Sequence, residues 1–365
     1  KIMFRKGLQL TIICLLLTLL IIGATSDPAL AKGHHPPGDD RPVTVMTRNV
    51  YIGADLNPIL QAIATGDLEL IGQAVFQVYQ ASLDSNIPAR AAAIAAEIAG
   101  AQPELVGLQE AHTWTGPLGS VDFLQLLLDA LASEGASYEA IAVVQGFSFA
   151  FPYPDGSMIT LGVSDVILAR TDLPASRLKL SNVQQGYYDA KIIYPLPDGT
   201  AAIIPRQWAS VDVKIRGKSF RFITTHLESI APPLIPFNVR YFQAVELLTG
   251  PAATDLPVVL VGDFNSQTSD HGDAAGLLVA AGFVDSWQAA YPGQPGATCC
   301  HPADLSDRDS VLDKQIDLVL WRGDFDTTAV DIVGDEPEDF DVLNRWPSDH
   351  AGVVATLLVP KHPDH

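Results

Sequence analysis

Cysteine is what this chain most conspicuously lacks. Three occur in 365 residues, Cys14 in an apolar N-terminal stretch and Cys299 and Cys300 side by side. Adjacent cysteines cannot tie distant parts of a fold together, so a disulfide framework is excluded. The pair itself is compatible with a vicinal disulfide in an oxidising compartment or with two thiols. Positive charge is also sparse: 22 Lys and Arg stand against 42 Asp and Glu, a net charge of −20. So acidic a protein repels polyanions at long range. Tight non-specific DNA binding, which comes from Lys and Arg neutralising phosphates, is therefore not expected, although a nuclease cleft neutralised locally by metal is still allowed. No repeat of about 20–50 residues is visible, which argues against a solenoid or propeller. What the chain has in quantity is apolar side chain, 48% of its residues, enough at this length for one large core or two modest ones.

Lys1, Arg5 and Lys6 precede an uncharged Leu- and Ile-rich run from Gly7 to Ser26, and Ala29-Leu30-Ala31 follows. This layout is that of a secretory signal peptide cleaved after Ala31. The alternative is an uncleaved anchor through residues 7–26 with the rest of the chain outside, because about 20 apolar residues can span a bilayer. Residues 32–42, KGHHPPGDDRP, read as a flexible leader, and one domain is expected from residue 43 to 360. Cleavage would expose Lys32-Gly33-His34, whose amine, amides and imidazole suit Cu²⁺ or Ni²⁺ in a square plane, or which are simply part of a leader that contains histidine.

Within the domain, Val43–Met46 is a β-prone run ending at Thr47-Arg48-Asn49. Helices are expected after Asp55-Leu56-Asn57-Pro58 and after Pro88, since proline suits a first helical position. In the second, Ile87, Ala91, Ile94 and Ile98 share a face, Gly100 is placed to cap the end and Pro103 forbids continuation. A buried strand Leu105–Leu108 then ends at Gln109-Glu110. Further apolar runs lie at residues 211–215, 220–225, 257–261, 316–320 and 353–359, with helical segments near 121–133 and 238–249. Strands outnumber helices and several adjoin across tight turns, as at Arg216-Gly217-Lys218, which favours a mixed or antiparallel α/β layered domain over regular βαβ alternation.

Polar residues collect where these runs stop. Glu110, His226, Asp263, Asn265, Asp349 and His350 all lie at or beside the end of an apolar segment, where sheet proteins present functional groups to a common cleft. Singly, each is ordinary: Glu110 as a solvated carboxylate, Asp263 and Asn265 as turn formers, His226 as a satisfied histidine at a core edge. Asp317 is harder to dismiss. It sits inside Ile316-Asp317-Leu318-Val319-Leu320, where a carboxylate needs a partner, and His350 is the best candidate.

Taken in order, Thr47-Arg48-Asn49, Val106-Gly107-Leu108-Gln109-Glu110, Thr225-His226-Leu227-Glu228, Val261-Gly262-Asp263-Phe264-Asn265, Ile316-Asp317-Leu318-Val319-Leu320 and Ser348-Asp349-His350 resemble the endonuclease/exonuclease/phosphatase superfamily. That group includes DNase I-like nucleases, bacterial sphingomyelinases and inositol-phosphate phosphatases. The resemblance implies a four-layer α/β sandwich, with two mostly antiparallel sheets face to face, helices outside, and catalytic loops at one edge. Residues 51–86 depart from the minimal pattern as an inserted helical segment that either shapes substrate access or pads the outer layer.

Phosphoester hydrolysis needs an in-line water, relief of charge on the phosphoryl oxygens and stabilisation of the leaving oxygen. The resemblance implies metal ligation by Glu110 with Asn49 and Asp349. Such oxygen-rich ligation selects Mg²⁺ first and Mn²⁺ or Ca²⁺ next. Asp263 is expected to activate water or handle the leaving-group proton, with His350 as the other candidate base. Asn265 would position the nucleophile or a phosphate oxygen, and His226 and His350, the latter oriented by Asp317, would donate to phosphoryl oxygens. Arg206 matches a position where relatives carry a basic residue and is a candidate phosphate contact. Lys214, Arg216, Lys218 and Arg221 read as a solvated hairpin face rather than a nucleic-acid track.

The expected activity is a secreted, monomeric phosphodiesterase with nucleic acid as first substrate, and phospholipid head groups or small phosphoesters as alternatives, since fold alone does not choose. Pro232–Phe237 (PPLIPF) is a candidate small apolar loop in that context. Two readings of another class are an exported binding protein that has lost catalysis and a membrane-tethered metal-binding protein.

Overall fold

Alternation in β1 (Pro42–Asn49) places Val43 and Val45 on one face and Met46 on the other, and both faces are covered. The computed structural model describes residues 42–195, 201–230 and 237–359; the export segment, the leader with Lys32-Gly33-His34, and all but the last residue of Pro232–Phe237 lie outside them. Helices α1 (Asn57–Thr65), α2 (Leu68–Asp84) and α3 (Ile87–Ala101) follow. Pro58 and Pro88 occupy the first turns of α1 and α3, where a missing N–H costs nothing. The Asp67 carboxylate caps α2 by accepting from the N–H groups of Glu69 and Leu70. Helix α3 runs through Gly100 rather than stopping there. Its cap is Gln102, whose left-handed backbone (φ 50°) carries its N–H to the Ile98 carbonyl.

Next come β2 (Leu105–Gly116), β3 (Gly119–Asp122), α4 (Phe123–Ser133), β4 (Tyr138–Pro152), β5 (Met158–Arg170) and β6 (Leu178–Tyr187). Strand β2 does not end at Gln109-Glu110 as the sequence suggested. Its register against β5 slips between Leu108 and Ala111, and Glu110 there has φ 63°, so the polar pair is a β-bulge within a long strand. Bulges re-aim a side chain without ending the sheet. The remaining elements are β7 (Ile192–Pro195), β8 (Ala201–Ile204), β9 (Gln207–Ile215), β10 (Lys218–His226), α5 (Val239–Thr249), β11 (Val258–Asp263), α6 (Ala274–Ala280), β12 (Val284–Asp285), α7 (Ser286–Ala290), β13 (Asp317–Arg322), β14 (Asp326–Val333) and β15 (Gly352–Leu358).

One sheet has the order β14-β15-β1-β2-β5-β4 with β3 on β2, and the other β12-β13-β11-β10-β9-β6. Pairing is antiparallel except for β1 with β2 and β10 with β11. Val45, Ile167, Val211, Phe222, Val261 and Val353 fill the space between the sheets. The outer face of the first sheet packs Met46, Val106 and Leu108 on Ile94 of α3 and Leu127 of α4. The second sheet covers Ile223, Leu260 and Leu318 with Leu247 of α5 and Leu278 of α6. The result is a four-layer α/β sandwich with helices outside two mostly antiparallel sheets. Each fully buried Val, Leu or Ile contributes about 1.5–3 kcal/mol, so this three-tiered burial compensates for the missing disulfide framework. Where β2 faces β10 and β11, Gly107 has no side chain, and a Cβ there would collide with Thr224 and Val261.

Candidate functional site

Both parallel pairs send their carboxyl ends to the same edge of the sandwich. Asn49 closes β1; His226 and Asp263 face each other in register at the ends of β10 and β11; Asp317 lies opposite Asp263 at the start of β13. Asn49 Nδ2 donates to Asp263 Oδ2 at 3.1 Å and to Glu110 Oε1 at 3.3 Å, joining the two sheets. His350, just before β15, holds Nδ1 2.8 Å from Asp317 Oδ2, the pairing expected of a carboxylate inside an apolar strand. Its Nε2 is 3.9 Å from Asp263 Oδ2, and His226 Nε2 is 3.4 Å from the same oxygen.

The bulge aims Glu110 into the cleft, where the Ile52 N–H donates to Oε2 at 3.0 Å. Asn265 is fixed twice: its N–H donates to Asp263 Oδ1 at 2.9 Å and its side-chain amide donates to the Leu227 carbonyl at 3.0 Å. The Asp349-His350 loop is clamped from below. Ser348 donates to the Asn49 carbonyl at 2.8 Å, Arg48 donates to the His350 carbonyl, and Arg90 donates to the carbonyls of Val50, Tyr51 and Pro347. Arg48 is itself paired with Glu97 at 2.9 Å. Neither arginine carries a role in the sequence pattern.

Burial divides the titrating groups. His226 lies well below the ordinary histidine value through burial, with Arg206 and His350 adding to the effect, and is neutral. Burial also opposes charge on His350, but Asp317 and Asp349 outweigh it and hold the imidazolium well above that value. Asp263 is pushed up to about 7 by burial and by Asp317, against His350. Asp349 rises to about 6 through burial, with Glu110 adding and His350 opposing.

These groups open into a cleft of about 450 Å³ lined by Glu110, Arg206, His226, Asp263, Asp349 and His350. Asn265 also lines it, while Asn49 and Asp317 stand behind. Arg206 is not a free cation: it pairs with the buried Glu228 at 3.3 Å, and that pairing outweighs burial to raise its pKa. The 51–86 insertion both borders the cleft and packs on the outer layer. Asp55, Leu56, Asn57 and Leu60 form one wall of the cleft, while Ile59, Val75 and Tyr79 pack on Trp114 and Leu161.

Two further side chains are invisible in the sequence pattern. His301 lines the cleft, stacks on Trp346 with ring centroids 4.1 Å apart and holds Nδ1 3.1 Å from Asp307. Its Nε2 is buried without a hydrogen-bond partner among the described residues. Burial lowers its pKa against Asp307, so the ring is neutral and, with Nδ1–H donating to Asp307, its Nε2 is an acceptor. Asp165 in β5 is fully buried, and neither carboxylate oxygen has a hydrogen-bond partner among the described residues.

The donor set fits a hard cation. Glu110 and Asp349 face the cleft as carboxylates, and Asp349 Oδ1 is buried with no partner among the described residues. The tight groups of possible ligands among the described residues are Asp263, Asp317 and His350, and Cys299, Cys300 and His350. In the first group His350 lies between the carboxylates of Asp317 and Asp263, at 2.8 and 3.9 Å.

The model of the Endonuclease/Exonuclease/phosphatase family matches residues 80–350. Among solved structures, an endonuclease/exonuclease/phosphatase family protein from Bacteroides thetaiotaomicron is 18% identical, with 89% of this chain and 100% of that one covered and a TM-score of 0.51. One from Leptotrichia buccalis is 15% identical, covering 86% and 99%, at 0.53. One from Beutenbergia cavernae is 20% identical, covering 89% of this chain and 73% of its own, at 0.50. At these identities the likeness is one of fold. No curated protein matches the chain.

Proposed function

The chain belongs to the endonuclease/exonuclease/phosphatase family and is by that membership a phosphoester hydrolase; from that premise we propose a secreted, divalent-metal-dependent phosphodiesterase acting on nucleic acid. The observation that carries this reading is the convergence of Asn49, His226 and His350 on one oxygen of Asp263, with Asp317 behind His350. Asp263, titrating near neutrality, takes the proton of the attacking water. His350, charged and oriented by Asp317, donates to a phosphoryl or leaving oxygen. His226, held neutral, donates or accepts without adding charge. Asn265, fixed through its own N–H and amide, offers its Oδ1 to the water. Bound Mg²⁺, with Mn²⁺ or Ca²⁺ as substitutes, would be held by Glu110, Asp349 and Asn49 and would supply charge neutralisation.

Two features support a diester over a monoester, and nucleic acid over other diesters. Among the described residues Arg206 is the one Lys or Arg lining the cleft, and Glu228 already occupies it; so little positive charge suits a monoanionic diester better than a terminal dianion. Beside the carboxylates, Leu56, Leu60, Phe147 and Val163 make an apolar wall that suits a stacked nucleobase. A phospholipid head group is the second reading. It is favoured by Ile193 and Ile203, exposed on the β7–β8 hairpin that brings Ile204 to the cleft.

The test is hydrolysis of plasmid DNA, RNA, sphingomyelin and a generic phosphodiester by the exported protein with Mg²⁺ or EDTA. Mg²⁺-dependent cleavage of nucleic acid is expected, and sphingomyelin as the better substrate would replace the first reading by the second. EDTA-insensitive turnover would overturn the metal assignment. His350→Ala and Asp263→Ala are each expected to lower kcat by about 10²-fold or more, the usual loss for an acid–base group. Mass spectrometry of the exported form, expected to begin at Lys32, checks cleavage.

A further inference from the structure

Cys299 and Cys300 play no part in the phosphoester chemistry, yet they lie against its central histidine. Cys299 forms an antiparallel bridge with His350 and another with Lys314. The segment around it is laced to the catalytic loops on both sides. The Ala351 N–H donates to the Thr298 carbonyl at 2.7 Å and the His301 N–H to the Asp349 carbonyl at 2.8 Å, while Thr298 Oγ1 accepts from the Asp317 N–H at 3.0 Å. The two sulfurs are joined to each other as a vicinal disulfide. Both sulfurs and a ring nitrogen of His350 fall within 4.8 Å of one another. Cys299 and His350 are buried and Cys300 is exposed, so the cluster has one open side.

We propose that the reduced Cys299–Cys300 pair, together with His350, is a second metal site, selective for a thiophilic d¹⁰ cation such as Zn²⁺ or Cd²⁺, whose occupancy withdraws His350 from catalysis. Two thiolates and an imidazole are the soft and borderline donors that such ions prefer, in contrast to the oxygen donors of Glu110 and Asp349. Donors around a tetrahedral Zn²⁺, at about 2.3 Å for sulfur and about 2.0 Å for nitrogen, sit roughly 3.5 Å apart. Once the bond is reduced the sulfurs have to part to reach that spacing, and the exposed Cys300 side chain has room to turn. Binding releases the two thiol protons and the proton on the His350 ring nitrogen that takes the metal to solvent. Oxidation by a disulfide abolishes the site: the two thiols form the Cys299–Cys300 bond and the oxidant is reduced to two thiols, with no net loss of protons. The site is therefore open in a reducing medium and closed in an oxidising one. The location of the metal rests on this geometry alone, whereas its effect on turnover rests on the role proposed for His350.

The test is a Cd²⁺ titration of the full chain under saturating Mg²⁺, after reduction and again after oxidation by a small disulfide. It is read by thiolate-to-cadmium charge-transfer absorption and by the His350 ring resonances. The reduced protein is expected to bind one Cd²⁺ with the charge-transfer band, shift His350 and lose turnover at least tenfold, all reversed by a chelator followed by fresh Mg²⁺. The oxidised protein and Cys300→Ser are expected to lose affinity by about 10²-fold or more. No charge-transfer band in the reduced wild type, or a band with His350 unmoved, overturns the site. A band and a shifted His350 with full turnover would leave the site standing and overturn the catalytic role of His350 instead.

Discussion

Asp317 contributes a charge that touches no cleft surface, and its influence is expressed through His350. Its charge is the largest influence raising the His350 pKa, ahead of Asp349, and its contact with Nδ1 adds to it, so Asp317→Asn is expected to lower that pKa in an NMR titration while leaving the fold intact; an unchanged titration would remove the pairing. Asp165 carries the opposite kind of prediction. Burial raises its carboxyl well above the usual range, against Arg206 and aided by Glu110. A carboxyl whose folded value exceeds its unfolded value of about 3.9 takes up a proton on folding, so it costs stability increasingly as pH climbs from there. Asp165→Asn is expected to match the wild type near about pH 4 and to be more stable by on the order of 1–3 kcal/mol near about pH 8, the usual range for an unsatisfied buried polar group, as read from urea midpoints. Asp317 is legible because a lone acid interrupts Ile316–Leu320. His301, Arg90 and Asp165 are not: His301 lies in a loop with no apolar frame, Arg90 passes for the polar face of an alanine-rich helix, and Asp165 sits in a strand whose Gly162-Val163-Ser164-Asp165 stretch has no clear alternation.

At the level of elements, position is more legible than extent. The five apolar runs beyond residue 200 and both proline-initiated helices occur where expected. The apolar runs read from the sequence do not include strands β4, β5 and β6, where apolar residues such as Phe147, Phe149 and Phe151 are interleaved with polar and small ones. The Glu110 bulge and the Gln102 cap depart from expectation for one reason: non-glycine residues adopt left-handed backbone at both, and a sequence signals such sites clearly only when glycine occupies them. The element with most leverage is α3. Its Glu97 neutralises the buried Arg48 that holds the His350 carbonyl. Glu97→Ala strands a buried guanidinium and is expected to cost about 3–5 kcal/mol, measured by thermal or urea unfolding. A loss below about 1 kcal/mol would mean the pair is effectively solvated.

Across the whole molecule, neither sheet holds a complete reacting set. Asn49, Glu110 and Asp349 come from the first sheet and its flanking loops, and His226, Asp263 and Asp317 from the second. Gly107 lies between the sheets where a methyl would collide with Thr224 and Val261. Gly107→Ala is expected to keep the far-UV circular dichroism and lower turnover at least tenfold, since a displacement of about 1 Å can cost on the order of 10²; unaltered kcat in a folded variant would show that the layers absorb the wedge elsewhere. One bare α-carbon thus sets the gauge of the catalytic gap. Turnover becomes a sensor of whether the two halves are still in register, and it would fade under heat or denaturant as soon as they part.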